Sequence, residues 1–446
     1  MPSERVIIHH SWPRYVSVLF PLWLFFAFFT QLKLVPGLDH NIGAFEVVGA
    51  LVAAFFILWE VPKGGLRIHP LLGIVLFLLG VAVISQIRLP GTHREYGMLQ
   101  VALLVFFAAF LWINHNLLKR YHLSVAWLTQ IIIACVFVAG VLVVVQGVQT
   151  GGDIQAAGPF RNRAHMASYM LTSFWLCLVG TLWPGVRLPI RFLGLGSLCL
   201  SLYCIAVSGR RSVYLALFLG LICLMAAVIG SRKGRRLQWL AVSLLAVGFL
   251  YGMYSLGAKS DTRIAFFRTR IGLVDDRVAS FLGRNESANA PTFFALQRQG
   301  VMMAFRASPI LGIGWGGFPD SEYSPTGHEV HSTPMRFLAE LGIVGLALYL
   351  VFMGNLLARS MALYRRMRAS PYQNAYLALM LGIWTMSLSY IYNRHITERT
   401  FWILLAVLLA MEVFAADWHQ IRSRLAEPRP GRKPAPHLQA LATPGS

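Results

Sequence analysis

PILGIGWGGFPDSEYSPTGHEVHSTPMRFLAELGIVG, residues 309–345, closes the one long polar interval of this chain, which starts near Gly257 and ends at His331. Its first half is punctuated by glycine and tryptophan and reads as a turn cluster. Its second half turns apolar and opens a membrane helix. On both sides of the interval, apolar runs of about 20 residues, the length that crosses a hydrocarbon layer, alternate with short polar turns. The alternation predicts an all-α polytopic membrane protein of about twelve transmembrane helices. The expected spans are 16–32, 42–60, 70–87, 95–113, 123–148, 164–183, 190–207, 212–230, 237–257, 332–357, 373–392 and 399–416. Residues 1–446 then form a single membrane domain. Residues 258–331 are a large loop between the ninth and tenth spans, and 427–446, rich in Pro, Arg and Ala, are a tail without fixed structure.

Composition supports this reading. Of 446 residues 57% are hydrophobic and 13% charged, with mean hydropathy +0.60, against roughly 25% charged in soluble domains. All five cysteines fall inside expected spans, which argues against a disulfide framework. The first apolar run is followed by many more and reads as a retained span, not a cleaved leader. The net charge of +21 lies in turns and tail, with no basic patch on a soluble domain. Membrane orientation and anionic lipid substrates explain it better than nucleic acid.

With the N-terminus cytoplasmic, the inner turns carry Lys63, Arg67, Lys119, Arg120, Arg187, Arg191 and the 232–236 and 359–368 basic groups. Both chain ends are then inside. The outer turns are also positive, but with arginine: Arg88, Arg94, Arg161, Arg163, Arg210, Arg211, Arg394, Arg399 and seven in the long loop, Arg284 and Arg298 among them. Arginine offers a planar fork of donors that matches phosphate and never deprotonates. Snorkelling to headgroups is the plain alternative for any one of them. As a set on one face they point to a phosphate or diphosphate.

Four stretches concentrate chemistry. SGRRS (208–212) holds two arginines in a tight turn at a helix start, with Ser212 as the expected cap, a compact anion site. GPFRNRAHMASYM (158–170) puts Arg161, Asn162, Arg163 and His165 at the mouth of the sixth span. The loop offers a short surface helix at Arg263–Arg277 and a second at Pro291–Phe305, followed by the Gly-rich turn around Trp315. In HEVHSTPMRFLAE, Thr333 followed by Pro334 signals a helix start, and His331 stands just before it. The positive end of that helix favours neutral imidazole, which can act as a base. Glu329 and His328 are alternatives for the same role. No GxSxG, Walker A or HExxH pattern occurs, and the adjacent Asp275 and Asp276 make a poor metal site. The expected chemistry is metal-independent and without a cofactor, with arginines neutralising charge.

These stretches give the chain a resemblance. Residues 155–350 are similar to the O-antigen ligase / O-antigen polymerase superfamily of bacterial inner membranes, through GPFRNRAHMASYM, through SGRRS with VYLALFLGLICL after it, and through the loop ending GIGWGGF…HEVHSTPMRFLAELGIVG. The family more often has Asn where Arg163 stands, and its histidine motif often continues with Asn where Thr333 stands. The resemblance implies a GT-C-like membrane glycosyltransferase with a periplasmic loop. The donor would be a glycan on undecaprenyl diphosphate and the acceptor a sugar hydroxyl of lipid A–core. Polymerisation on the same donor class is the alternative within the family. A flippase for the same anionic lipid is the alternative outside it.

On this reading His331 is the base and Arg210 is catalytic. Arg210 and Arg211 hold the diphosphate, with Arg161, Arg163, Arg284 and Arg298 behind them and Glu329, His328 and Trp315 on the acceptor side. The loop is expected to act as a lid, with His331 positioned by the tenth span and not by the loop.

Overall fold

The computed structural model describes residues 13–28, 43–89, 94–121, 124–149, 157–160, 163–208, 210–229, 293–325, 327–391 and 398–426. The described elements are helices: α1 (Arg14–Ala27), α2 (Ala44–Trp59), α3 (Pro70–Ser85) running into a 3₁₀ turn (Gln86–Arg88), α4 (Arg94–Tyr121), α5 (Val125–Gln149), α6 (Arg163–Leu182), α7 (Leu188–Ser208), α8 (Arg211–Ile229), α9 (Phe293–Ala307), α10 (Thr333–Met367), α11 (Gln373–Tyr390) and α12 (Arg399–Ala426). All except α9 fall on expected spans. Helix α9 is the second loop helix, two residues later than expected. The expected span at 237–257, the surface helix at Arg263–Arg277 and the tail at 427–446 lie outside the described residues.

Among the described residues, α4, α5, α7, α10 and the Arg399–Trp418 part of α12 are long and apolar enough to cross a membrane, and α1, α2, α3 and α8 contain shorter apolar segments. The chain is a multi-pass helical membrane protein. Helix α6 is less apolar for a physical reason: residues 166–180 are buried on every side, so protein surrounds them where lipid would surround an outer helix. It packs on α5, α7, α8 and α11. Its hydroxyls are satisfied within the helix: Thr172 donates to the Ser168 carbonyl at 3.1 Å, Ser173 to Tyr169 at 2.7 Å and Thr181 to Cys177 at 2.7 Å.

One end of the bundle is tied by carboxylates. Glu60, fully buried, accepts from Tyr15 (3.0 Å), Tyr121 (2.6 Å), Lys63 (2.9 Å) and Arg120 (2.6 Å), joining α1, α2 and α4. Four donors, two of them cationic, offset the cost of taking this carboxylate out of water. At the same end Glu412 of α12 accepts from His69 at 2.9 Å and Arg359 at 3.4 Å. At the other end Arg399 makes a two-pronged bond to Glu46 at 3.0 and 2.9 Å, fastening α12 to α2.

The sequence predicts one continuous tenth span; the structure breaks it. Gly342 lies at φ 63°, ψ −159°, inside α10. Ile343 donates to the Pro309 carbonyl at 2.9 Å and Val344 to Ile310 at 3.4 Å, while the Ala339 and Glu340 carbonyls accept from Ile313 (3.1 Å) and Gly314 (3.0 Å). The loop therefore inserts into the helix, taking the groups that the break releases. Such a break is tolerated at membrane depth only where protein re-satisfies the backbone.

Glycine is required at this joint. A Cβ on residue 342 would lie 2.4 Å from the Ile310 oxygen and 2.7 Å from the Pro309 oxygen, in a backbone region that only glycine enters readily. Gly342→Ala is expected to lower stability by about 1–3 kcal/mol, read as a lower unfolding temperature in detergent. Further along the same helix, a Cβ on residue 354 would meet no atom within 4 Å. Gly354→Ala is therefore expected to be neutral or slightly stabilising.

Candidate functional site

The loop that fills the break also carries the site. Trp315 donates its peptide N–H to Ser85 Oγ at 3.0 Å, and its carbonyl accepts from Gln86 Nε2 at 3.0 Å, pinning the turn to the end of α3. Its ring is 1% exposed and lies under the Arg336 guanidinium, 4.5 Å from carbon to ring centre. Trp315, expected on the acceptor side, therefore supports the site from behind. Arg336, 2% exposed, bonds Glu340 Oε2 at 2.9 Å and reaches Gln100 Oε1 of α4 at 3.4 Å. Glu340 Oε2 also accepts the Gly316 N–H at 2.8 Å. On its outer side Arg336 approaches Glu329 Oε2 at 3.7 Å, and Glu329 Oε1 accepts a short hydrogen bond from the Tyr96 hydroxyl.

His331 is half-buried beside this network. Its peptide N–H donates to Gln297 Oε1 of α9 at 3.2 Å, and its Nδ1 lies 2.9 Å from the Glu329 carbonyl. A carbonyl can only accept, so Nδ1 carries the proton and Nε2 carries the lone pair. The 3.5 Å approach of Gln297 Nε2 to Nδ1 is at the limit of hydrogen bonding and does not compete with it. Burial, then the Arg210 guanidinium, then His328 hold the ring below the usual imidazole range. The expectation that the tenth span and not the loop positions it is corrected: the Glu329 carbonyl bonds the ring and Gln297 bonds the peptide, both on the loop side, and α10 begins at Thr333.

Tyr96, Asp320, Gly327, His328, Glu329 and His331 line a depression of about 270 Å³. Glu329 and His328, expected near the base, do line it with His331. Arg210 is half-buried at the start of α8, where its carbonyl accepts the Tyr214 N–H at 3.1 Å and its own N–H donates to Ser208 Oγ at 3.3 Å. Its charge opposes protonation of the His331 ring. Ser208 Oγ is a hydroxyl that engages this turn, and Ser212 is the second residue of α8. Likewise Ser332 is the N-cap of α10, with Thr333 already helical and Pro334 in the first turn.

The remaining arginines divide. Arg298 is exposed on α9, and as the neighbour of Gln297 it points to a different face. Arg211 and Arg163 are the first residues of α8 and α6. Arg161 and Arg284 lie outside the described residues. Among the described residues, no group of three or more His, Cys, Asp or Glu side chains is placed to hold a metal ion.

Tyr96, Gln100, Gln297, Arg336 and Glu340 belong to the site without having been singled out in the sequence. A signal existed for two of them: opposite charges at i,i+4 inside a span, where ionisable residues are rare and functional. No protein-family model matches the chain, and a search of curated proteins finds no match.

The Arg336–Glu340 pair yields a test. Removing one partner strands a buried charge, so Arg336→Met is expected to destabilise by about 3–5 kcal/mol. The double substitution Arg336→Met with Glu340→Leu removes both charges and is expected to recover most of that loss in detergent unfolding.

Proposed function

We propose that the chain is an O-antigen ligase. It would move O-antigen polysaccharide from undecaprenyl diphosphate to a sugar hydroxyl of lipid A–core, at the periplasmic face of the bacterial inner membrane, with both chain ends in the cytoplasm. The observation that carries this reading is a half-buried histidine whose Nδ1 lies 2.9 Å from the Glu329 carbonyl, leaving Nε2 for the lone pair, and which lines a pocket with Glu329 and His328. The likeness of GPFRNRAHMASYM, SGRRS and the loop to the ligase and polymerase superfamily supplies the substrates.

In the proposed step His331 Nε2 takes the proton of the acceptor hydroxyl. The hydroxyl oxygen attacks the anomeric carbon of the donor glycan. The bond from that carbon to the diphosphate breaks with inversion, and undecaprenyl diphosphate leaves with the electron pair. Arg210, assisted by Arg211, meets the charge that grows on the leaving group. A donor aimed at developing charge is the kind of contact that lowers a barrier. The carboxylates of Asp320 and Glu329 suit the hydroxyl-rich acceptor better than the anionic donor, which supports a reading with the donor on the Arg210 side.

Purified full-length protein, lipid-linked donor and lipid A–core in detergent make the test. His331→Ala and Arg210→Ala are each expected to lose about 10²- to 10³-fold in rate. Full transfer by well-folded variants would refute the assignment, and no transfer by the wild type would favour transport. Elongation of the lipid-linked donor itself would identify a polymerase. Because the base works deprotonated and its ring is held below about 6.5, kcat/KM is expected to fall only as pH drops below that value.

A further inference from the structure

If His331 is the base, something must hold its ring in the form that can accept a proton. Among the described contacts, Gln297 is the α9 residue that hydrogen-bonds both halves of the histidine turn. Its Oε1 accepts the His331 peptide N–H at 3.2 Å, and its Nε2 donates to the Glu329 carbonyl at 2.9 Å. The same carbonyl accepts His331 Nδ1–H at 2.9 Å. One amide therefore fixes the peptide of the histidine and the oxygen that selects its tautomer. Gln297 is 3% exposed, and both ends of its amide are used.

We infer that Gln297 is a positioning residue through which docking of α9 sets His331 in the tautomer with its lone pair on Nε2. The inference rests on the reading of His331 as base. Were the Glu329 carbonyl to swing away, the proton could sit on either ring nitrogen and the ring would lose its fixed aim. Were α9 to lift, both bonds would go together, because they share one side chain. Helix α9 thus does more than cover the site: its seating prepares the base. Other ionisable groups bear on the ring. Arg210 comes from α8, His328, Glu329 and Asp320 from the loop, Tyr96 from α4, and Arg336 acts from α10 through Glu329. None of these comes from α9, so a charge placed at residue 297 adds a new influence.

Two substitutions separate positioning from packing. Gln297→Met keeps the volume and removes both hydrogen bonds. A misaimed catalytic group costs on the order of 10²-fold, so kcat is expected to fall about 10- to 100-fold with KM for the acceptor little changed. Gln297→Glu keeps an acceptor for the His331 N–H but faces the Glu329 carbonyl with an oxygen and puts a carboxylate beside the ring. It is expected to move the acid limb of the pH–rate profile to higher pH, because a nearby anion favours imidazolium.

Both variants are assayed as full-length protein in detergent with lipid-linked donor and lipid A–core, beside wild type and His331→Ala. Wild-type kcat in Gln297→Met together with an unmoved pH profile in Gln297→Glu, while His331→Ala is inactive, would overturn the positioning role and leave the base assignment standing. Wild-type turnover by His331→Ala would overturn the base assignment itself. If Gln297→Met fails to fold, the pH profile of Gln297→Glu decides alone.

Discussion

The break at Gly342 is the constraint on which the site depends. An unbroken helix would bond Ile343 and Val344 back to Ala339 and Glu340. Here those carbonyls accept from Ile313 and Gly314, and the two N–H groups go to Pro309 and Ile310. The loop cannot withdraw without leaving these groups unpaired in an apolar setting, at a cost of several kcal/mol. The register between loop and helix is therefore fixed. That register seats Trp315 beneath Arg336 and aims the Gly316 N–H at Glu340. It also separates a short first segment of α10, carrying Arg336 and Glu340, from the long membrane-crossing part.

The covering structure consequently has two tiers. The lower, residues 309–317, is bonded into α10 and to the end of α3. The upper, α9 and the turns from Phe318 to Val330, rests on a small separate apolar cluster of Val301, Ala304, Phe318, Val330 and Ala339. So small a core supports less local stability than the main bundle, and elements of this kind are the ones that open. Gln297 belongs to the upper tier, whereas Arg336 stands on α10, into which the lower tier is bonded. The Arg336–Glu340 pair is tied to the lower tier through the Gly316 N–H, while the hydrogen bonds that set the histidine lie in the upper one.

Much of the bundle was legible because hydrophobic run length is a local signal. Helices α1–α8 and α10–α12 appear where the runs were read, and α9 appears within two residues of its sequence position. The expected span at 237–257 has no counterpart among the described residues, so the full span count rests on the sequence. The break at Gly342 was not legible. One glycine in an apolar run does not reveal its φ, and the bonds that stabilise the break come from residues about 30 positions earlier. Polar chemistry at span mouths drew attention to His331 and Arg210, and the charge of Arg210 bears on the His331 ring. Gln297 gave no signal, since a glutamine on an amphipathic helix is ordinary until its partners are known. Arg336 and Glu340 did give one, an opposite-charge pair at i,i+4 in a span, overshadowed by the arginine-rich turns.

The electrostatics of the site follow from where Arg336 sits. Glu329 and Asp320 line the pocket with His331, and two carboxylates so placed would favour imidazolium and cost the ring its capacity as a base. Arg336 stands behind Glu329 and offsets its charge, while Tyr96 hydrogen-bonds the same carboxylate. On the other side Arg210 opposes protonation of the ring. The ring is therefore held below the usual imidazole range by burial first and by Arg210 next, while Arg336 offsets Glu329. On the proposed reading, a diphosphate seated on Arg210 would cancel the charge of that arginine. The ring would then become the stronger base when the donor is in place. Proton abstraction from the acceptor would be favoured only once there is a glycan to transfer, which couples the order of binding to the chemistry without any moving part.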